Sequence, residues 1–392
     1  MGRASILAVT IILLGSPAAF STQYKEEPFA PVSPVFMGQG GSCIADAQGF
    51  GALFSNPAGF SRSKGAFTVT SSTSWVYSRP DLFLTQIAQA MVGTQTPNSF
   101  LNYINSQLTT GGLGAGSSMG MGYVGDGFGL GAAFIVDSLL FGPTLLGVTG
   151  DLTATLGFIG GISLPFEIGG TKVHVGADVR PMIRMHSPIT YVTANAIISA
   201  LQTGGNVISA LNSATTYYGS GIGLDLGAIA EIGWFSVGVS IRDLGGTQFN
   251  YSSNTFGALT TTLASQGGFP SGSGVGDRFV IPMDVGLGVT FHPDLGTTKL
   301  FFDPRFSFDM RNINGAIDGS ADFWTVFHLG TEIRLLNMFT VRGGLNQGYL
   351  TLGGGIKIFF LDMNVAIFTQ ELGAHLGDRP NAGMTISADA RI

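Results

Sequence analysis

The chain has 392 residues, 45% of them hydrophobic and only 11% charged, with 60 glycines and a formal net charge of -6. A soluble domain usually carries about 25% charge, and past the N-terminus no apolar run reaches the roughly 18 residues a spanning helix needs, so a closed barrel is left as the way to satisfy every backbone group in lipid. The acidic balance and scattered Lys and Arg exclude a nucleic-acid partner, because no basic run is present to neutralise phosphates.

In chain order, Arg3 precedes the apolar stretch Ile6 to Leu14, followed by Gly15, Ser16, Pro17 and the small-residue region Ala18 to Ser21. This is the layout of a cleaved secretory signal, too short for an anchor, with Ala19-Phe20-Ser21 as a small-x-small cleavage site. Residues 1–21 are expected to be a signal peptide and the mature chain to start near Thr22. The single cysteine, Cys43, rules out an intrachain disulfide and lies too far from the apolar stretch for lipoprotein acylation. It reads as a small buried residue.

Residues 22–64, between the signal and the first wall strand, hold a segment that is neither linker nor strand. They contain the run Phe36 to Ala47 and then Leu53-Phe54-Ser55-Asn56-Pro57-Ala58-Gly59-Phe60. Gly40 and Gly41 permit a tight turn, Ser42 can cap a short helix through Ala45, Asp46 and Ala47, and Asn56-Pro57 halts the chain in an extended or turn geometry. A compact plug is expected here.

From about Phe67 onward, residues 65–392 alternate with period two, which means strands. Met283, Val285, Leu287, Val289 and Phe291 share one parity against Asp284, Gly286, Gly288 and Thr290; Phe235, Val237, Val239 and Ile241 oppose Ser236, Gly238, Ser240 and Arg242. A soluble sandwich would alternate too, but its polar parity would face water and be dense in Lys and Glu. Here that parity is Gly, Ser and Thr with occasional charges, as a lumen tolerates. Strand starts are expected near Phe67, Gly116, Phe128, Gly150, Lys172, Gly219, Trp234, Phe279, Thr298, Phe323, Phe339, Tyr349, Leu361 and Asn381, an even set of about fourteen. The fold class is thus an all-β transmembrane antiparallel barrel with an N-terminal hatch in its lumen and short helices in long loops. The glycines alternate with apolar residues inside strands, so they form no phosphate-binding loop and are expected to relieve crowding within the wall.

Three long insertions, Pro80 to Gly114, Ser187 to Thr216 and Leu244 to Asp277, belong on one side, opposite tight turns such as Leu335 to Met338. The first carries Phe83, Ile87, Ala90 and Met91, then Phe100, Ile104 and Leu108; the second carries Val192, Ala196, Ile197 and Ala200. Spacings of three and four indicate short amphipathic helices. Their apolar faces either cap the barrel or form a landing site for a hydrophobic solute, with Phe83, Ile87, Phe100 and Ile104 as candidate contacts.

The order Gly40-Gly41, Ala45-Asp46-Ala47, Phe54-Ser55-Asn56-Pro57-Ala58-Gly59 after a signal resembles the N-terminal hatch of the FadL-like family of outer-membrane channels for hydrophobic compounds. Near the C-terminus, Glu371-Leu372-Gly373 and Gly377 to Gly383 resemble a block in related barrels of spirochaetes and of the PorV type, which need not transport fatty acids. Ile392 departs from the terminal Phe of many such barrels. The resemblance implies a fourteen-stranded barrel in the bacterial outer membrane, blocked by its hatch. Long-chain fatty acids or other hydrophobic ligands would be bound and passed through a conformational gate. Its other partners would be outer-membrane lipids and, during biogenesis, the barrel assembly machinery. Gating then falls to Asn56, Pro57, Ala58, Gly59 and Phe60, with Pro57 and Gly59 as hinge and Phe54 in the ligand pocket; Asn56 also reads as a turn residue satisfying its own backbone. A cation for a carboxylate head group could be Arg180, Arg184, Arg242 or Arg305, each of which could equally be a lumen salt-bridge partner.

The five histidines, His174, His186, His292, His328 and His375, show no metal-ligand spacing and no motif with a serine or carboxylate. No enzyme activity, metal or cofactor is expected. The rival reading is a barrel that transports nothing and serves as a secretion-system component or surface interaction protein.

Overall fold

A computed structural model describes residues 23–392, apart from 95, 144–146 and 204. The expected signal peptide lies outside the described residues.

Alternating chemistry becomes a wall of 14 antiparallel strands that closes on itself. The first six are β1 (Ala66–Tyr77), β2 (Leu113–Gly125), β3 (Phe128–Phe141), β4 (Thr149–Ile168), β5 (Thr171–Ile189) and β6 (Thr215–Ile232). Two interrupted strands follow, β7 (Phe235–Arg242, resumed at Thr247–Thr255) and β8 (Arg278–Ile281, resumed at Asp284–Phe291). The circuit finishes with β9 (Phe302–Met310), β10 (Phe327–Leu335), β11 (Phe339–Asn346), β12 (Tyr349–Ile358), β13 (Leu361–Glu371) and β14 (Pro380–Arg391). β14 pairs with β1, Met384 opposite Val76 and Asp389 opposite Ser71, so the sheet has no free edge there. The expected starts at Thr298 and Phe323 move later, because Gly296–Leu300 forms a 3-10 turn and Phe323–Val326 a short helix capped by the Asp322 carboxylate.

Which parity faces out decides between barrel and sandwich. On β4, Leu156, Phe158, Ile162 and Leu164 are exposed while Thr155 and Ser163 are buried toward the lumen. On β8, Leu287 and Val289 are exposed and Thr290 is buried. Burying a Leu or Phe is worth ~1.5–3 kcal/mol, so this continuous apolar exterior is stable against acyl chains and would associate in water. Among the described residues no helix is long and apolar enough to cross a membrane; the strands do the crossing.

One end of the barrel has tight turns at Asp126-Gly127, Gly169-Gly170, Gly233-Trp234 and Phe359-Phe360, several with left-handed residues. The other carries the helices α2 (Pro80–Met91) and α3 (Pro97–Thr110) between β1 and β2, and α4 (Tyr191–Thr203) and α5 (Val207–Leu211) between β5 and β6. The same end holds α6 (Phe256–Gln266), α7 (Ile313–Asp318) and α8 (Phe323–Val326); the label α1 is kept for Pro34–Gly38 in the hatch. The three long insertions therefore share one side. The third was expected to span Leu244 to Asp277 as a loop, but Thr247–Thr255 rejoins the wall, pairing with β6 from Ser220 opposite Asn250. Before it, Asp243 to Gly246 leaves the wall, turning through positive φ at Asp243, Gly245 and Gly246, and after Thr255 the chain leaves again as α6. Residues 278–280 of β8 take the N-terminal strand Gln23–Lys25 as a parallel neighbour. Where β8 has no ladder to β9, side chains replace it: Asp284 accepts from the Asn312 N–H, and Asn314 accepts from the Val285 N–H and donates to the Met283 carbonyl.

Residues 23–64 fill the lumen. After α1 come 3-10 turns at Gly49–Phe54 and Pro57–Phe60. The expected helix at Ala45 to Ala47 is absent, because the wall takes over its capping role: the Asp309 carboxylate on β9 accepts the N–H groups of Cys43 and Ile44 at 2.6 and 2.9 Å. Gly40 and Gly41 do make the tight turn, at φ of 65° and 84°. The principal apolar core joins hatch to wall, with Phe29, Leu53, Phe54, Ala58 and Phe60 against Trp75, Ile135, Met182 and Phe249.

Candidate functional site

Lumen-facing glycines in the strands are the seats of the hatch. A methyl group at Gly227 would collide with the Asn56 amide oxygen, and at Gly176 it would come within 2.5 Å of the Pro57 backbone. At Gly129 and Gly161 it would strike the Phe60 ring, at Gly157 the Phe29 ring, and at Gly238 and Gly288 the Ala45 backbone. Crowding inside the wall is thus only part of their role; they leave a recess shaped to the plug.

Asn56 to Phe60 sit at the bottom of that recess, with Asn56, Ala58 and Phe60 fully buried. The Asn56 Nδ2 donates to the carbonyls of Ile44 and Val239, both at 3.1 Å, and its Oδ1 accepts from the Ala58 N–H. One amide therefore caps its own turn, ties two hatch segments together and fixes both to β7. Gly59 lies against the Ala47 carbonyl, where no side chain fits.

The lumen arginines are occupied with the hatch and with each other's carboxylates. Arg242 donates to the carbonyls of Phe54 and Phe29 and leans on Asp225. Arg180, with none of its surface exposed, pairs with Asp225 and Asp243 where β7 leaves the wall. Arg184 holds Glu26 at 3.0 Å and the Glu27 carbonyl at 2.8 Å; Arg305 holds Asp46. Each supplies charge-assisted hydrogen bonds inside the barrel. Glu26 belongs to the hatch and also meets His186, which in turn contacts Asp151. Burial pushes the Glu26 carboxyl up, but the hydrogen bonds and charges of His186 and Arg184 outweigh this and hold it below its ordinary value.

Above and below the hatch lie two cavities. The one at the loop end, about 400 Å³, is walled by Phe29, Trp75, Tyr77, Ile135, Asp137 and Arg184, among others. The one at the turn end, about 680 Å³, is walled by Ser71, Thr73, Arg305, Arg342, Asp362 and Asp389, among others. Pro31, Ser33, Phe36, Cys43 and Phe54 border both. Trp75 Nε1 and Tyr77 Oη donate to Asp137, which orients both rings. These two aromatics and Phe36 were missed in the sequence, although Trp75 and Tyr77 share the lumen parity of Thr73 and Ser71, the one signal that could have found them.

The loop helices divide in their use. Ile104 and Leu108 of α3 are buried with Val148, Ile189, Ala194, Ile197 and Leu211, so α3, α4 and α5 form a cap over one side of the mouth. In α2, Phe83 is half-buried, whereas Leu84, Ile87 and Met91 are exposed, as is Val92 beyond its end. The Phe100 side chain lies outside the described residues.

Histidine partners, not foreseen in the sequence, are present: Ser61 Oγ lies 2.7 Å from His174 Nδ1, with Ser163 on Ser61 and Glu231 on the far side of the ring. The Nε2 to Glu231 distance is 3.9 Å, too long for the orienting hydrogen bond of a hydrolytic triad, and neither Ser61 nor His174 borders either cavity. The group pins the second 3-10 turn to β4 and β5. Among the described residues no His, Cys, Asp or Glu cluster is arranged to hold a metal ion.

A closed wall with a greasy exterior and a docked internal plug defines a hatch-bearing β-barrel of the outer-membrane type. Among solved structures the chain is similar to the Pseudomonas putida toluene transporter TodX, at 12% identity over 95% of this chain and 99% of that one, with a TM-score of 0.46. It is also similar to the Ralstonia pickettii toluene transporter TbuX, at 13% identity over 91% and 97% with a TM-score of 0.48, and to a Pseudomonas aeruginosa FadL homologue, at 14% over 91% and 97% with 0.46. No protein-family model and no curated sequence matches.

Proposed function

We propose that this barrel admits hydrophobic small molecules across the bacterial outer membrane, loop end outward, past a gated N-terminal hatch. The observation that carries the reading is the division of the lumen: a docked plug with a cavity on each side, the outer one setting the rings of Phe29, Trp75 and Tyr77 among charged side chains and the inner one larger and richer in charged side chains. An open aqueous bore would serve polar solutes; an apolar one gains about 0.8 kcal/mol per CH₂ kept out of water, which rewards the aromatic chamber. Its volume falls within the roughly 300–1,000 Å³ of small-molecule sites.

In this scheme the exposed apolar face of α2, with Phe83 and Ile87, collects solute, and Phe29, Phe54, Trp75 and Tyr77 receive it. Arg242 acts through the hatch carbonyls it holds and Arg180 through the wall carboxylates beside it, Asp225 and Asp243, while Asn56 to Phe60 form the fixed root that keeps the hatch seated. Long-chain fatty acids and monoaromatic hydrocarbons are the solute classes to compare, since the chamber joins aromatic rings to Arg184 and to Arg311, whose nearest carboxylate, Asp284, is 3.6 Å away.

Liposomes carrying the folded protein should take up labelled oleate or toluene faster than protein-free liposomes. Equal rates for both solutes would overturn the proposal and leave the rival, a surface interaction barrel, for which the open α2 face is the supporting feature.

A further inference from the structure

The hatch has two lobes seated on different parts of the wall. Its α1 packs against β11 to β14, with Gly38 on Gly353, while the 3-10 turn Gly49–Phe54 packs against β2 and β3. The side chain that spans the seam is Phe36: it springs from α1 and lies over Gly51 of the other lobe, where a Cβ would come within 3.0 Å of the ring. Both cavities touch Phe36, and both run down the inner face of β1, Tyr77 and Trp75 facing the outer one and Thr73 and Ser71 the inner one. Trp75 and Thr73 are successive inward positions, roughly 7 Å apart along a strand, so the partition between the chambers is about one side-chain layer thick on that side.

Moving the whole hatch would break every anchor at once: Asn56 on Val239, Asp309 on Cys43 and Ile44, Arg242 on Phe54 and Phe29, and Arg305 on Asp46. The Phe36 carbonyl accepts from the N–H groups of Gln39 and Gly41, so its backbone is fixed, but its side chain is only half-buried. Its neighbour across the seam, Phe54, is buried and its backbone is held by Arg242. Of the two aromatic side chains that border both chambers, Phe36 is the less enclosed.

We infer that Phe36 is the gate of the conduit, its ring swinging off Gly51 to join the two chambers along β1 while the hatch remains docked. The inference rests on the uptake reading above. It also predicts selectivity by girth: a flat ring or a single alkyl chain can follow a side-chain gate, and a bulky multi-ring solute cannot.

Cys43 offers a native reporter, since it borders both chambers and burial pushes its thiol up to about 11, so the rate of its labelling reads how far the seam around it is open. The test compares the folded full-length protein with Phe36→Ala, Phe36→Trp and Gly227→Ala in liposomes. It reads labelling of Cys43 by a charged, membrane-impermeant methanethiosulfonate and uptake of oleate or toluene, and a heat-modifiable shift in gel mobility confirms that each barrel is folded. Phe36→Ala should label at least tenfold faster than the parent and take up solute faster, and Phe36→Trp should be slower than the parent in both. If folded Phe36→Ala labels at the parental rate while Gly227→Ala, which unseats the hatch root, labels faster, the gate is hatch displacement and the inference is overturned. If Phe36→Ala labels faster yet no variant takes up solute, the Phe36 seam stands and the uptake reading falls.

Discussion

Asn56 and Gly227 meet as plug and socket, because the amide that caps the Pro57–Phe60 turn lies where only a residue without a side chain leaves space. Gly227→Ala should therefore act on the hatch and not on strand pairing, costing about 1–3 kcal/mol as an overpacking substitution. Limited proteolysis of the folded variant should cut within residues 23–64 while the barrel core resists; a hatch as resistant as the parent's would contradict the seating argument. At this scale the sequence exposed residue types and hid their pairings. Asn56-Pro57 announced a turn from local chemistry, but that Gly176 and Gly227 face it from β5 and β6 depends on strand register across the lumen, which alternation alone does not set. The same applies to Asp309, whose carboxylate replaces the helix expected after Ser42, and to Phe36, whose importance comes from two cavities that no local pattern describes.

Among the elements, strands were legible because lipid and lumen impose opposite chemistry on alternate positions, as on β4 and β8. The excursion at Asp243 to Gly246 was not, since a turn that leaves a wall and returns has the same glycine signal as the start of a loop, and this also hid α6. The helices differ in what their apolar faces do, and substitution separates the cases. Ile104→Glu would bury a carboxylate in the cap cluster and should lower stability by several kcal/mol, read as a lower unfolding midpoint in detergent. Leu84→Glu on the open face of α2 should leave that midpoint within about 0.5 kcal/mol and slow solute capture; a large stability loss would show that α2 is packed, against the landing role. The N-terminal strand is the element with a pH response. Glu26 is held below its ordinary value of 4.5 by His186 and Arg184 against the opposing effect of burial, so its tether is complete above that value and is lost as the pH falls through the depressed one. Residues near Gln23–Lys25 should become protease-sensitive on acidification below 4.5, and Glu26→Gln should be sensitive already at neutral pH. Equal protection of parent and variant across the range would remove Glu26 from the set of anchors.

For the molecule as a whole, the two faces of one sheet meet two environments, and the hatch turns what would be a pore into two chambers. Wall glycines, lumen arginines and the aromatic chamber all serve that division, so the sealed lumen is the claim on which the rest depends. Electrical conductance in a planar lipid bilayer reads it directly, because ions report any continuous water path whatever the natural solute. The intact protein should conduct little, and a variant lacking residues 23–64 that still folds as a barrel should conduct in large, stable steps. An intact protein with steps as large as those of the hatchless variant would contradict the account.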